Sequence, residues 1–221
     1  MTGEVVPLRL PTHPDRMAQG TSPRAGRAGL CHPRRVNRLH HWYCNREAWK
    51  QHVREELVPP TIDDVDLGEN VLEVGPGFGP ATEVLSQRVP RLTALEIDPV
   101  LAAPLRGRLG DRAEIVQGDG TDMPFADSTF SAAVCFTMLH HVPSPEAQDR
   151  LFAEVGRVLR PGGTFAGTDS TGRGPGFALL HIGDTKVVLD PDELPSRLAA
   201  AGFQNTTVRL DRDTVWFRAT V

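Results

Sequence analysis

The sequence predicts an α/β fold, an open and mainly parallel sheet wound on both faces by helices, in a single domain over residues 31–221. Three observations carry this. First, the apolar run Val71, Leu72, Val74 breaks into Gly75-Pro76-Gly77-Phe78-Gly79 before a helical period begins at Ala81, Val84, Leu85 and Val89. That is a strand, a glycine turn and a helix N-terminus, the place where open α/β sheets hold their ligands. Second, the next apolar strand ends in Glu96, close to the roughly 20-residue spacing at which such folds place an acid beside the first turn. Third, short β-branched runs keep alternating with helical patterns to the end of the chain, and 221 residues suit one such core.

Taken in order, residues 1–30 are rich in Pro, Gly, Arg, Ser and Thr without hydrophobic period and read as a disordered leader. Between Pro33 and Pro59, Val36, Leu39, Tyr43, Trp49, Val53 and Leu57 recur at three- and four-residue steps, as in an amphipathic helix or a kinked pair. The core then runs from residue 61. A strand at 70–74 leads through the glycine turn to a helix, and RLTALEIDP (91–99) gives a second strand. A helix opens on Pro99, where a missing N–H costs nothing, and ends near residue 109. AEIVQGDGTDMPF (113–125) is a third strand entering a turn, and FSAAVCFT (130–137) is a fourth. Leu151, Phe152, Val155, Val158 and Leu159 mark a helix over 144–160, stopped by Arg160-Pro161-Gly162-Gly163 before the strand GTFAGTDS. Residues 172–190 read as an irregular link, 191–202 as a helix with a glycine stop, and NTTVRLD with TVWFRATV as a closing period-2 pair.

Composition excludes several classes. Apolar residues make up 39% and the net charge is −4, but no apolar run approaches the roughly 20 residues of a membrane helix. The N-terminus shows no continuous apolar segment of a signal peptide. Cys31, Cys44 and Cys135 are odd in number and far apart, which argues against disulfides or a zinc site and for a reducing, cytoplasmic setting. Residues 1–60 hold ten Lys/Arg against five Asp/Glu, and the rest hold fourteen against twenty-three. An acidic body is a poor surface for nucleic acid.

The glycine turn differs from a dinucleotide fingerprint. The third glycine, Gly79, comes one place early, and Glu73 stands two places before Gly75. A carboxylate there would repel pyrophosphate and attract a cation. The order acidic-x-Gly-x-Gly-x-Gly at the end of a first strand resembles motif I of class I S-adenosylmethionine-dependent methyltransferases, whose ligand has a sulfonium and an ammonium and no phosphate. The resemblance covers about residues 60–221. It implies a Rossmann-like seven-stranded sheet of order 3-2-1-4-5-7-6 with the last strand antiparallel, and N-terminal helices (31–60) that fold over the cofactor. By the same resemblance Glu73, Gly75, Gly77 and Gly79 cradle the cofactor, Glu96 takes the ribose hydroxyls and Ile97 packs on adenine. Asp119 bonds the adenine amine, and Gly120 and Thr137 line the same pocket.

At the fourth strand's exit, Met138-Leu139-His140-His141-Val142 lies where the methyl donor sits, and L-H-H-V is a variant found in the type-11 group. The chain lacks the N/D-P-P-Y set of amine methylation and the Pro-Cys of cytosine methylation, and it has no second acid for a catechol-type magnesium site. No metal ligand set is expected. The implied function is methyl transfer from S-adenosylmethionine to oxygen, nitrogen or carbon of a small molecule. Its alternatives are a silent S-adenosylmethionine-binding module and, less favoured by Glu73, an NAD-dependent dehydrogenase. His141 is the candidate base if the acceptor is a hydroxyl, with His140 beside it and His181 a third candidate on the link. Tyr43, with His40, His41 and Trp42, is a candidate for the substrate lid. The acceptor and the oligomeric state carry no signal.

Overall fold

The structure, a computed structural model, describes residues 37–173 and 175–221. The expected leader (1–30) and the first residues of the expected lid lie outside the described residues. Seven strands form one sheet: β1 (Asn70–Val74), β2 (Arg91–Glu96), β3 (Glu114–Gln117), β4 (Phe130–Phe136), β5 (Leu159–Ser170), β6 (Gln204–Asp211) and β7 (Thr214–Thr220). Their order is β3-β2-β1-β4-β5-β7-β6. β1 runs parallel to β2 and β4, whereas β7 is antiparallel to both β5 and β6. This is the expected topology, and its centre places the end of β1 between the ends of β2 and β4.

The helices are α1 (Arg38–Cys44), α2 (Glu47–His52), α3 (Val58–Ile62), α4 (Pro80–Arg88), α5 (Pro99–Leu109), α6 (Pro145–Val158), α7 (Pro175–Leu180) and α8 (Leu194–Ala200). Alternation along β1 decides which helix meets which side chain. Val71 joins Ala132 and Val134 in a core closed by Ala81 and Leu85 of α4 and Leu105 of α5. Leu72 and Val74 face the other way, onto Leu151 and Phe152 of α6 and Leu194 and Leu198 of α8. Glu73 therefore points to the α4 side, where it is 1% exposed.

Three expectations need correction. The N-terminal helix does not end at Pro59: α2 passes through a π-turn at Val53–Leu57 into α3, which carries its prolines at its first positions. Prolines there need no N–H partner, and the wider turn before them absorbs the change in bonding. The link over 172–190 is not wholly irregular, since α7 lies in it. Finally, β5 begins before the Pro-Gly-Gly break: Phe130 pairs with Leu159 and Ala132 with Thr164, so Pro161, Gly162 and Gly163 are taken up as an irregularity within the strand.

Candidate active site

The glycine turn leaves β1 with Gly75, Gly77 and Gly79 at φ of 70°, 57° and 79°, a conformation that costs other residues a steric penalty. The glycines also differ in what surrounds them. A Cβ on Gly79 would lie 2.3 Å from Leu105 Cδ2, so this glycine lets α5 pack close. On Gly75 it would reach 3.0 Å from Met138 Cγ, at the exit of β4. On Gly77 it would meet nothing within 4 Å. Gly77 thus borders open space, as a ligand cradle requires.

Glu96 fixes that cradle. Its Oε2 accepts from the Gly77 N–H at 2.9 Å and its Oε1 from the Asp98 N–H at 2.9 Å. The carboxyl is 4% exposed, and burial raises it above the usual carboxylate range, against the pull of these two donors. Each oxygen keeps a second lone pair for an incoming hydroxyl. Glu73 lies deeper. Burial pushes it up to about 8; Thr82 on the first turn of α4 opposes the shift and Glu96 adds to it. Its Oε2 has no hydrogen-bond partner among the described residues. A buried carboxyl in this state releases its proton to solvent when a cation is brought alongside and stabilises the carboxylate.

Around this centre, Ile97 is 40% exposed at the end of β2. Asp119 Oδ1 accepts from the Thr121 N–H and Oγ1 at 2.8 and 2.9 Å, so one carboxylate oxygen shapes the turn and the other is left over. Gly120 sits against Leu151 and Val74, its missing Cβ 3.1 Å from Leu151 Cδ1. Thr137 follows β4 at φ 50°, held by its N–H to the Thr168 carbonyl at 2.7 Å. The residues expected around the cofactor thus gather at the C-terminal ends of β1, β2, β3 and β4.

The histidines converge from three parts of the chain. His140 and His141 form a 3-10 turn after β4. His140 Nδ1 lies 2.5 Å from Asp169 Oδ1, and its backbone N–H donates to Asp169 Oδ2 at 3.1 Å. Its Nε2 is buried without a partner among the described residues. His141 packs 4.1 Å from the His140 ring, and burial, followed by the neighbouring imidazoles, lowers it well below the ordinary histidine value. His181, after α7, donates from Nδ1 to the Phe177 carbonyl at 2.7 Å, again leaving a buried Nε2 without partner among the described residues. His40, on α1, closes the group at 4.2 Å from His181 and 4.9 Å from His141 between ring centroids.

Asn37 anchors α1 over this group. Its side chain accepts from the His40 N–H at 2.9 Å and donates to the Leu180 and Ile182 carbonyls at 2.7 and 3.0 Å. On the other side His41 stacks edge-on to Phe78 of the glycine turn at 4.7 Å. Tyr43, expected to face a substrate, packs on Trp49 at 5.4 Å, and Trp42 is exposed under Arg46. Sequence reasoning missed Asp169 and Asp184 as partners of histidines. An acid near the end of the strand GTFAGTDS was the available signal for Asp169; Asp184 stands with His181 in the 172–190 link, but no spacing pairs it with His40.

Comparison with known proteins agrees with this geometry. Residues 72–167 match the methyltransferase domain family Methyltransf_11. Over these residues, somewhat under half of the chain, the protein resembles the S-adenosylmethionine-dependent methyltransferases. The chain is 37% identical over 105 residues to a sterol 24-C-methyltransferase of Gibberella zeae, covering 44% of this chain and 27% of that protein. It is 37% identical over 123 residues to a fatty-acid O-methyltransferase of Mycolicibacterium smegmatis, covering 53% and 43% respectively. The chain thus spans less than half the length of these two curated relatives. Among solved structures, an S-adenosylmethionine-dependent methyltransferase of Thermotoga maritima, named a possible histamine N-methyltransferase, aligns with TM-score 0.64 at 16% identity over 82% of this chain and 98% of its own. That likeness concerns the fold. S-adenosylmethionine is the cofactor of the family, and the charge pattern here suits it: an acid at Glu73, an acid at Glu96 and an open Gly77 between them.

Proposed function

We propose that the chain transfers a methyl group from S-adenosylmethionine to a small organic acceptor seated against the histidine group. One observation supports this most: the open glycine turn, tied by Glu96, lies beside the β4 exit, whose Met138 touches Gly75 and whose next residues are His140 and His141. Glu73, Gly75, Gly77 and Glu96 hold the donor in this reading, with Ile97, Asp119, Gly120 and Thr137 around its adenosine. The sulfonium makes the methyl electrophilic, so the protein's part is to align a nucleophile about 3 Å away and to exclude water.

Where the acceptor must lose a proton, the pairing of Asp169 with His140 favours His140 over His141 as the base. A carboxylate on Nδ1 fixes the tautomer and leaves the Nε2 lone pair free. His141, lowered by burial, is a wall of the acceptor site in this reading. The names of the sterol and fatty-acid relatives point toward an acceptor with a sizeable apolar body. Leu39 and Trp42 on α1, with Leu179 and Ile182 on the facing link, agree: they expose 45%, 56%, 59% and 66% of their surface around the roof of the site. Nucleic acid is disfavoured by the acidic body. Among the described residues no helix is long and apolar enough to cross a membrane.

The test is incubation with methyl-labelled S-adenosylmethionine and fractionated metabolite extracts, with the labelled product identified by mass. Tight donor binding with no label reaching any acceptor would show a silent binding module instead.

A further inference from the structure

His40, His141 and His181 each offer a ring nitrogen, and these nitrogens lie within 4.8 Å of one another. We propose that these three residues form a binding site for one divalent transition metal ion of the zinc class.

The argument begins with what the other ring nitrogens do. His40 Nδ1 lies 3.3 Å from Asp184 Oδ2, and that carboxylate is held in turn by the Asn37 N–H on Oδ1 at 2.7 Å. The Asp184 side chain is 2% exposed. His181 gives its Nδ1 proton to the Phe177 carbonyl. One nitrogen of His40 and one of His181 is thus committed to an oxygen acceptor, which leaves the second nitrogen of each ring for a ligand. Carboxylate or carbonyl support behind each imidazole is the outer arrangement that metal-ligating histidines adopt, because it fixes the tautomer and raises ligand basicity.

Three ring nitrogens share one space within 4.8 Å of one another, and the His181 Nε2 has no donor to satisfy it among the described residues. An anion would worsen this arrangement; an electron-pair acceptor would resolve it. Neutral imidazole is the state that binds metal. Zinc–nitrogen bonds of 2.0–2.1 Å at tetrahedral angles set ligand atoms roughly 3.3 Å apart. The group closes to that spacing by rotation of rings carried on α1, the turn after β4 and the link after α7. Three protein ligands also leave one coordination position open, the pattern of catalytic rather than structural zinc. On the methyl-transfer reading above, that position faces the acceptor and would bind and acidify its nucleophilic group, with the His140–Asp169 pair alongside to take the proton.

The test uses untagged full-length protein stripped by chelator and titrated with Co²⁺, read by the visible bands of tetrahedral cobalt, then displaced by Zn²⁺. One equivalent is expected. His40→Ala and His181→Ala should each lower affinity by at least ~100-fold, and Asp184→Asn, which keeps every ligand, by about 10–100-fold. S-adenosylmethionine affinity, measured in parallel, should stay within a few-fold and so reports an intact fold. Absence of tetrahedral cobalt in wild type overturns the proposal, as does binding that survives both alanine changes or is indifferent to Asp184→Asn. A protein that binds one metal but no S-adenosylmethionine would keep the metal site and sink the methyl-transfer reading.

Discussion

Replacing Glu73 by glutamine should stabilise the ligand-free protein in alkaline solution while weakening its hold on S-adenosylmethionine. The magnitude follows from burial. Folding raises this carboxyl from 4.5 to about 8, so the folded chain binds a proton that the unfolded chain has already lost. Stability therefore falls as pH rises from about 4.5 to about 8 and levels off above, by up to roughly 5 kcal/mol at 1.36 kcal/mol per pH unit. Glutamine keeps the shape and removes the titration. Urea unfolding at about pH 5 should give nearly equal stabilities for the two proteins, and at about pH 8.5 the variant should lead by at least ~2 kcal/mol. Adding S-adenosylmethionine should reverse the order, because its positive charge compensates an ionised Glu73 and has nothing to compensate in the variant. Calorimetry in two buffers of different ionisation enthalpy should then show proton release on binding to wild type near pH 7, and little for the variant. Identical pH dependence of stability in both proteins would refute the reasoning, since the penalty would not reside on this carboxyl.

Four further changes test the rest of the site. Gly77→Val should abolish S-adenosylmethionine binding in a folded protein, because the branched side chain enters open space at φ 57°; equilibrium dialysis with unchanged affinity would remove the turn from the site. Glu96→Ala should weaken S-adenosylmethionine and S-adenosylhomocysteine by similar factors, about 1.5–3 kcal/mol for each charge-assisted hydrogen bond lost, and an effect on one ligand only would show that it reads the sulfonium end. His140→Ala should lower kcat by about 10²–10⁴-fold with donor affinity kept, recovering in part as pH rises. His141→Ala should differ by showing no such recovery; equal pH profiles for the two variants would dissolve the distinction drawn from Asp169.

The β1–α4–β2 unit was legible because its signals are local: an apolar run, three glycines and an acid at set spacing define it without the rest of the chain. Their expected neighbours, from Ile97 to Thr137, follow from strand ends that the sheet order brings together. The helix over Pro59 and Pro60 was not legible as continuous, since proline reads as a stop unless a π-turn precedes it. Helix α7 hides in a glycine-rich link and leaves Leu179 exposed, so it carries no amphipathic period. The histidines were each visible and were named singly. Their convergence was not, because it depends on Asn37 fastening α1 to residues 180–184 and on the Val187 N–H bonding the His140 carbonyl at 2.8 Å. Long-range hydrogen bonds of this kind have no period to read.

Helix α1 has only seven residues, fewer than a helix needs to hold its shape alone in water. It persists because Asn37 and His40 moor one end to the link and His41 rests on Phe78. A segment so tethered opens without disturbing the sheet beneath it, since few buried contacts go with it. On the methyl-transfer reading, spent donor would leave past the turn that Phe78 belongs to, and the His41–Phe78 contact would have to loosen first. Turnover at saturating substrate should follow the rate at which this short roof unfastens rather than the rate of the methyl shift, as in enzymes whose closing segments govern product release.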